Sequence, residues 1–271
     1  MEQYYKLNIS TRVSMIICTV DDYTSRPRSG GNIVVSLREQ PRKRPVRKPG
    51  GYYIFTDLDC GMYGVAVRSD VYMDLDINIP VEEIEPVNQV TYIILKPCSH
   101  YPFLNGATLI RASVRDMMGR GIPGAGVKAV MVSDSCARAR LSVDGAEKGQ
   151  NNICLANVRG GISVGDEYLI RDKDGKKTEY CLIAGTTETE KCYRLDDSLQ
   201  SSYSRGAIML PVFNTKSDDR GEVVVYFREP CPDHFKVKLQ FEHEKNLTEK
   251  ELDIEGGKIV DLGVINIGQA I

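Results

Sequence analysis

Hydrophobic and polar residues alternate along most of this chain with the period of two that a half-buried β-strand requires. The clearest stretch is residues 51–67, GYYIFTDLDCGMYGVAV. Tyr53 and Phe55 share one face there, and Tyr52, Ile54 and Thr56 take the other. Asp59-Cys60-Gly61 makes a tight turn, and Tyr63, Val65 and Val67 give the apolar face of a returning strand. Residues 11–20, 32–38, 71–79 and 89–95 follow the same grammar, bounded by clusters of Gly, Pro, Asp and Ser. The pattern predicts a small β-sandwich and contains no convincing helical period.

After a linker at residues 96–104, KPCSHYPFL, the grammar restarts. Strands are predicted over 107–115, 126–132 and 221–227, and Phe235, Val237, Leu239 and Phe241 alternate cleanly. Residues 221–241 form a fainter copy of residues 51–67, and 258–267 supply a last strand. Between these halves lies a segment without counterpart, whose hairpin turns at Asp174-Gly175. It reads as a small closed or semi-closed β-barrel. The predicted architecture is all-β: one sandwich over 1–100, a second over 101–134 and 212–271, and the barrel inserted over 135–211.

The run Gly51-Tyr52-Tyr53-Ile54-Phe55-Thr56-Asp57-Leu58, followed by Gly61-Met62-Tyr63-Gly64-Val65, resembles the core motif of carboxypeptidase regulatory-like domains. The resemblance implies transthyretin-like, Ig-like β-sandwiches. Asp219-Arg220-Gly221-Glu222-Val223-Val224-Val225 is similar to the first part of that motif. The glycine turn that should follow is replaced by Glu229-Pro230-Cys231-Pro232-Asp233. Such domains serve as adaptors, spacers and binding modules, so the likeness speaks for fold more than for activity. Residues 164–170, with Tyr193-Arg194-Leu195 and Tyr203-Ser204-Arg205-Gly206-Ala207, resemble barrel segments of tail-associated proteins in phages and contractile injection systems. Sandwich pairs with a YPF linker resemble accessory proteins of those assemblies. This second resemblance implies a nonenzymatic structural or adaptor subunit of a contractile tail-like apparatus.

Charge changes the picture little at the whole-chain level. The 271 residues carry a net charge of −2, which argues against general binding to nucleic acid or acidic membranes. The N-terminus begins with an acid, and its short apolar run ends at Asp21 and Asp22, unlike a secretory leader. The expected location is the cytoplasm. There the eight cysteines (Cys18, Cys60, Cys98, Cys136, Cys154, Cys181, Cys192, Cys231) are expected to be free thiols used as small core residues. The triplets Asn8-Ile9-Ser10 and Asn246-Leu247-Thr248 match the glycosylation pattern, which has meaning only with secretion.

Candidate chemistry is thin. A zinc carboxypeptidase site needs a His and a Glu close in sequence plus a distant His, and His100, His234 and His243 do not supply that spacing. Cys231 and His234 form a C-x-x-H pair, with His243 expected on a neighbouring strand, but no fourth ligand is visible and a Pro-bracketed turn explains them. Asp74 and Asp76 share a strand face as in some calcium loops, yet the glycine bend and further oxygen ligands are missing. Glu82, Glu83 and Glu85 read as a solvated turn. No nucleophile elbow occurs, and Gly30-Gly31 and Gly160-Gly161 precede no helix that could hold phosphate. No catalytic residue, metal or cofactor is expected.

One concentrated charge feature remains: Arg42, Lys43, Arg44, Arg47 and Lys48, in the connection leading to residue 51. A solvated loop is one reading and a docking loop for an acidic protein surface is the other. Nucleic acid would want interleaved aromatics, and the run has none. In the second sandwich the same connection carries the whole barrel, so it is the expected partner-facing edge in both. The expected partners are protein subunits, in a homo- or hetero-oligomer, without nucleic acid or membrane. Exposed strand edges are a further means of pairing. A carbohydrate- or cell-surface-binding sandwich is the alternative.

Overall fold

The computed structural model describes residues 11–30, 32–82, 90–142 and 145–268. The Asn8-Ile9-Ser10 triplet and residues Gly31, Glu83 and Glu85 lie outside them. The architecture is all-β, and the chain divides into two compact units, Met1–Pro102 and Phe103–Ile271. Among the described residues no helix is long and apolar enough to cross a membrane, which says nothing of strands.

The first unit contains β1 (Val13–Asp21), β2 (Arg26–Pro27), β3 (Ile33–Leu37), β4 (Val46–Lys48), β5 (Tyr52–Thr56), β6 (Gly61–Ser69), β7 (Leu75–Val81) and β8 (Val90–Leu95). One sheet runs β4-β5-β1, with β8 parallel on the other side of β1 and the short β2 at its end. The facing sheet runs β3-β6-β7. Ile17, Val35, Leu37, Tyr53, Phe55, Val65, Val67, Ile93 and Leu95 are buried. Alternation put each of them on an inward face, and that burial is the main favourable term for the sandwich.

The second unit repeats this plan. Its sandwich consists of β9 (Leu109–Arg115), β10 (Gly126–Met131), the far half of β16 (Ile208–Lys216), β17 (Glu222–Tyr226), β18 (His234–His243), β19 (Asn246–Glu255) and β20 (Ile259–Asn266). β9 lies antiparallel to β17 and parallel to β20, as β1 does to β5 and β8. The order β10-β18-β19 repeats β3-β6-β7. Two glycines mark the equivalence. Gly51 and Gly221 have φ of +80° and +82°, and a Cβ would lie 2.7 Å from the Thr19 carbonyl oxygen in one and 2.4 Å from that of Val114 in the other. Only glycine fits where the chain enters β5 and β17 against a neighbouring backbone.

Between β10 and β17 the chain builds β11 (Ala139–Leu141), β12 (Asn152–Ala156), β13 (Glu167–Arg171), β14 (Thr178–Thr186) and β15 (Cys192–Leu195). Pairing runs β11-β12-β15-β14-β13-β16 and returns from β16 to β11, so six strands close into a ring. Its core of Leu141, Ile153, Leu155, Tyr168, Ile170, Ile183, Leu195 and Met209 is separate from that of the sandwich. β16 belongs to both bodies. Val212 pairs with Glu167 of the barrel and with Val130 of the sandwich.

Three expectations need correction. Residues 51–67 are not a paired hairpin: β5 bonds to β1 and β4, whereas β6 bonds to β3 and β7. The intervening turn, with Asp57 at φ 52°, carries the chain from one sheet to the facing one. Two strands with apolar inner faces look alike in sequence whether they pair side by side or face each other. The cysteines are also not all free. Cys154 and Cys192 sit opposite each other on β12 and β15 and form a disulfide across a sequence separation of 38. Register brings them together, and spacing along the chain cannot reveal register. Finally, His234 and His243 stand at opposite ends of one strand, β18, rather than on neighbouring strands.

Candidate functional site

The basic run does not form a free loop throughout. Pro49, Gly50 and Gly51 turn the chain back, so Val46, Arg47 and Lys48 pair with Ile54, Tyr53 and Tyr52 as β4. The bracketing Pro45 and Pro49 hid this strand from the sequence pattern. Its residues point alternately, so Arg47 and Lys48 project to opposite faces of the sheet. Arg47 shares the face of Tyr53, with its guanidinium carbon 5.7 Å from the ring centre. Burial raises the Tyr53 pKa, and the Arg47 charge partly offsets that rise.

Lys43 is tied down: its Nζ donates to the Asp57 carbonyl at 2.8 Å and its N–H to the Gln40 carbonyl at 3.0 Å. It clamps the start of the loop to the turn after β5. Arg42, Arg44 and Lys48 are exposed. None of the five joins an ion pair among the described residues. Some cations elsewhere in the chain are matched. Arg68, for example, holds Asp74 at 3.2 Å and Asp76 at 2.8 Å, which explains the alternating acids once considered for calcium.

The described residues bring together no group of three or more His, Cys, Asp or Glu side chains as a metal site. Cys231 sits beside the second core, its Sγ directed to the Arg228 carbonyl at 3.6 Å. Burial, with Glu229 nearby, pushes its thiol up to about 12, so it stays protonated and is a poor ligand.

Two buried polar clusters escaped the sequence reading. Asp21 is 1% exposed and accepts from the Tyr72 hydroxyl at 2.7 Å, the Tyr101 hydroxyl at 2.5 Å and the Thr24 N–H at 2.8 Å. Tyr101 comes from the expected linker, whose first part is thus packed into the first unit. In the second unit Asp166 accepts from Arg228 at 2.6 Å, from the Tyr168 hydroxyl at 3.3 Å and from the Ser163 N–H at 2.9 Å. Buried Arg138 donates to the Arg228 carbonyl. This network spans the barrel, through Asp166 and Tyr168, and the sandwich, through Arg228. In sequence Arg228 lies 90 positions from Arg138 and 62 from Asp166, so no local motif announces the network.

A hollow of about 270 Å³ opens on the barrel, lined by Ser142, Gly145, Gln150, Asn151, Asn152 and Cys154. Its amides and hydroxyl are neutral hydrogen-bonding groups with no nucleophile–base pair among them.

No family model matches the chain, and no curated protein matches it. Among solved structures, the shaft pilin SpaA from Lactobacillus rhamnosus GG is 10% identical, with 97% of this chain and 100% of that one covered, at a TM-score of 0.25. BcpA, the major pilin subunit of Bacillus cereus, is 9% identical over 96% of this chain and 100% of that one, at a TM-score of 0.25. The Bacillus anthracis TIE protein is 11% identical over 95% of this chain and 51% of that one, at 0.26. The expected cytoplasmic location is corrected, because the Cys154–Cys192 disulfide is at odds with a reducing compartment.

Proposed function

We propose that this chain is a nonenzymatic structural subunit of a multisubunit protein assembly, which docks its neighbours through rigid β-sandwich surfaces. The observation that carries this reading is the connection between β3 and β5. It displays Arg42, Arg44 and Lys48 in solvent without counter-ions among the described residues, and Lys43 and β4 anchor it to the sandwich. A fixed array of unmatched cations suits an acidic protein surface, where it contributes steering and register more than affinity. The same connection in the second unit is enlarged into a barrel, a second rigid surface at the equivalent place. The finer form of the proposal is the one the barrel and linker segments suggest, a contractile tail-like apparatus.

Purification from the native source with electron microscopy of the eluate tests this directly. The chain is expected in a large particle. Reversing Arg42, Lys43, Arg44, Arg47 and Lys48 to Glu is expected to release it as a folded free subunit. A wild-type monomer that binds a defined sugar, for instance in the hollow of the barrel, overturns the assembly reading. Unchanged incorporation of the charge-reversed chain overturns the role given to the basic connection.

A further inference from the structure

We infer that β8 is an open sheet edge through which two copies of this chain pair antiparallel about a two-fold axis. This goes beyond the assembly proposed above and does not depend on it. The sequence of β8, VTYIIL, has no charge, proline or glycine, and its pairing with β1 runs without a register shift. Among the described residues β8 pairs with β1 alone. The Leu95 carbonyl accepts from the Asp22 N–H at 3.1 Å, so Leu95 turns its main chain to β1. Parallel pairing alternates, hence Thr91 and Ile93 do the same, while Val90, Tyr92 and Ile94 turn theirs to the side away from β1, where no described residue pairs with them. Tyr92 is 63% exposed and Ile94 43%.

Other edges of this chain are guarded by the devices that keep strands from pairing with strangers. β4, at the far edge of the same sheet, is three residues between prolines and carries Arg47 and Lys48. β7 has Asp76 and Pro80. β19 lines its outer column with Glu249, Glu251, Asp253 and Glu255. The contrast with β20 is the most informative, because β20 holds the same place in the second sandwich. It carries Asp261 and a register shift between Asp261 and Val264, with Gly263 at φ 62°. β3 is likewise uncharged, but it is only five residues long and turns just Val34 and polar Ser36 to its outer face, a smaller apolar surface than Tyr92 and Ile94.

The occupant that fits an uncharged, regular edge is a second copy of itself. A two-fold contact sets each residue against its own kind or a symmetric mate, so a charge-free strand meets no repulsion. Keeping Tyr92 and Ile94 on one face places Tyr92 against Tyr92 of the second copy at the axis. Val90 then opposes Ile94 on either side. The residues with outward main chain supply about six hydrogen bonds, and the aromatic pair packs across the junction. The sheet β4-β5-β1-β8 becomes continuous with its copy.

Sedimentation of the full chain across a concentration series tests the pairing. The wild type is expected to dimerise reversibly. Tyr92→Lys and Tyr92→Glu are each expected to weaken the dimer by at least about tenfold, and an equimolar mixture of the two to restore it. Ile94→Pro removes an outward donor that the fold does not use and is expected to act likewise, with an unchanged thermal melt. A wild type that stays monomeric at high concentration overturns the inference. So does a dimer that survives both folded Tyr92 variants, or one that dissociates only when the basic run is reversed.

Discussion

Asp21 holds the end of the first unit in place through two phenols. Burial, and then the Asp21 carboxylate, raise the pKa of both tyrosines, Tyr101 to about 12 and Tyr72 further. An unfolded tyrosine ionises near pH 10. Above that pH the unfolded chain gives up protons that the folded chain keeps, so stability falls as pH rises. The contribution is complete below pH 10 and is lost as pH climbs through about 12. Urea unfolding at pH 8, 10 and 11.5 is expected to show this decline. Tyr101→Phe should lower stability at pH 8 by about 1.5–3 kcal/mol, the value of a hydrogen bond to a charged group, and flatten the alkaline fall. The Asp166–Arg228 pair makes a parallel case. Arg228→Ala leaves a carboxylate that is 9% exposed without its counter-ion, and the expected cost is about 3 kcal/mol or more in denaturant unfolding. Asp166→Asn in the same background should recover part of it.

At the scale of elements, turns and faces were legible because each rests on a local rule. Gly51 and Gly221 were visible as paired motif starts, and the structure gives both the same left-handed conformation against a neighbouring carbonyl. Alternation put Tyr53 with Phe55, and Val65 with Val67, on shared faces, and all four are buried. What pairs with what was not legible, because register and sheet membership depend on residues far apart. β5 and β6 therefore read as a hairpin, and β4 read as loop. The candidate site shared this limit: its five cations were visible, but not the Lys43 anchor or the division of Arg47 and Lys48 between two faces. Cys154 and Cys192 are the sharpest case, since only the β12–β15 register makes them opposite. Their bridge closes a loop of 38 residues, worth about 3–4 kcal/mol on the chain-entropy account. Reduction, or Cys154→Ser with Cys192→Ser, is expected to lower barrel stability by that order. Scanning calorimetry with and without reductant checks this.

At the scale of the whole molecule, the second unit joins its two bodies by a shared strand rather than by a tether. β16 completes the barrel ring with Ile208–Val212 and continues into the sandwich sheet through Val212–Lys216. Around this crossing, Lys128 of β10 reaches Glu167 of β13 at 2.8 Å, and Asn214 donates to the same carboxylate. Arg228 reaches Asp166 from the other body. Opening the barrel thus strips a strand from the sandwich, and opening the sandwich pulls on the barrel wall, so neither body has an independent way to unfold. Hydrogen exchange on the full chain should find one common opening free energy for Ile170 and Met209 in the barrel core and Val127 and Leu239 in the sandwich core. Val212→Pro removes an N–H where both bodies meet and is expected to raise exchange in both together. Fast exchange confined to the barrel would mean that β16 is a tether after all.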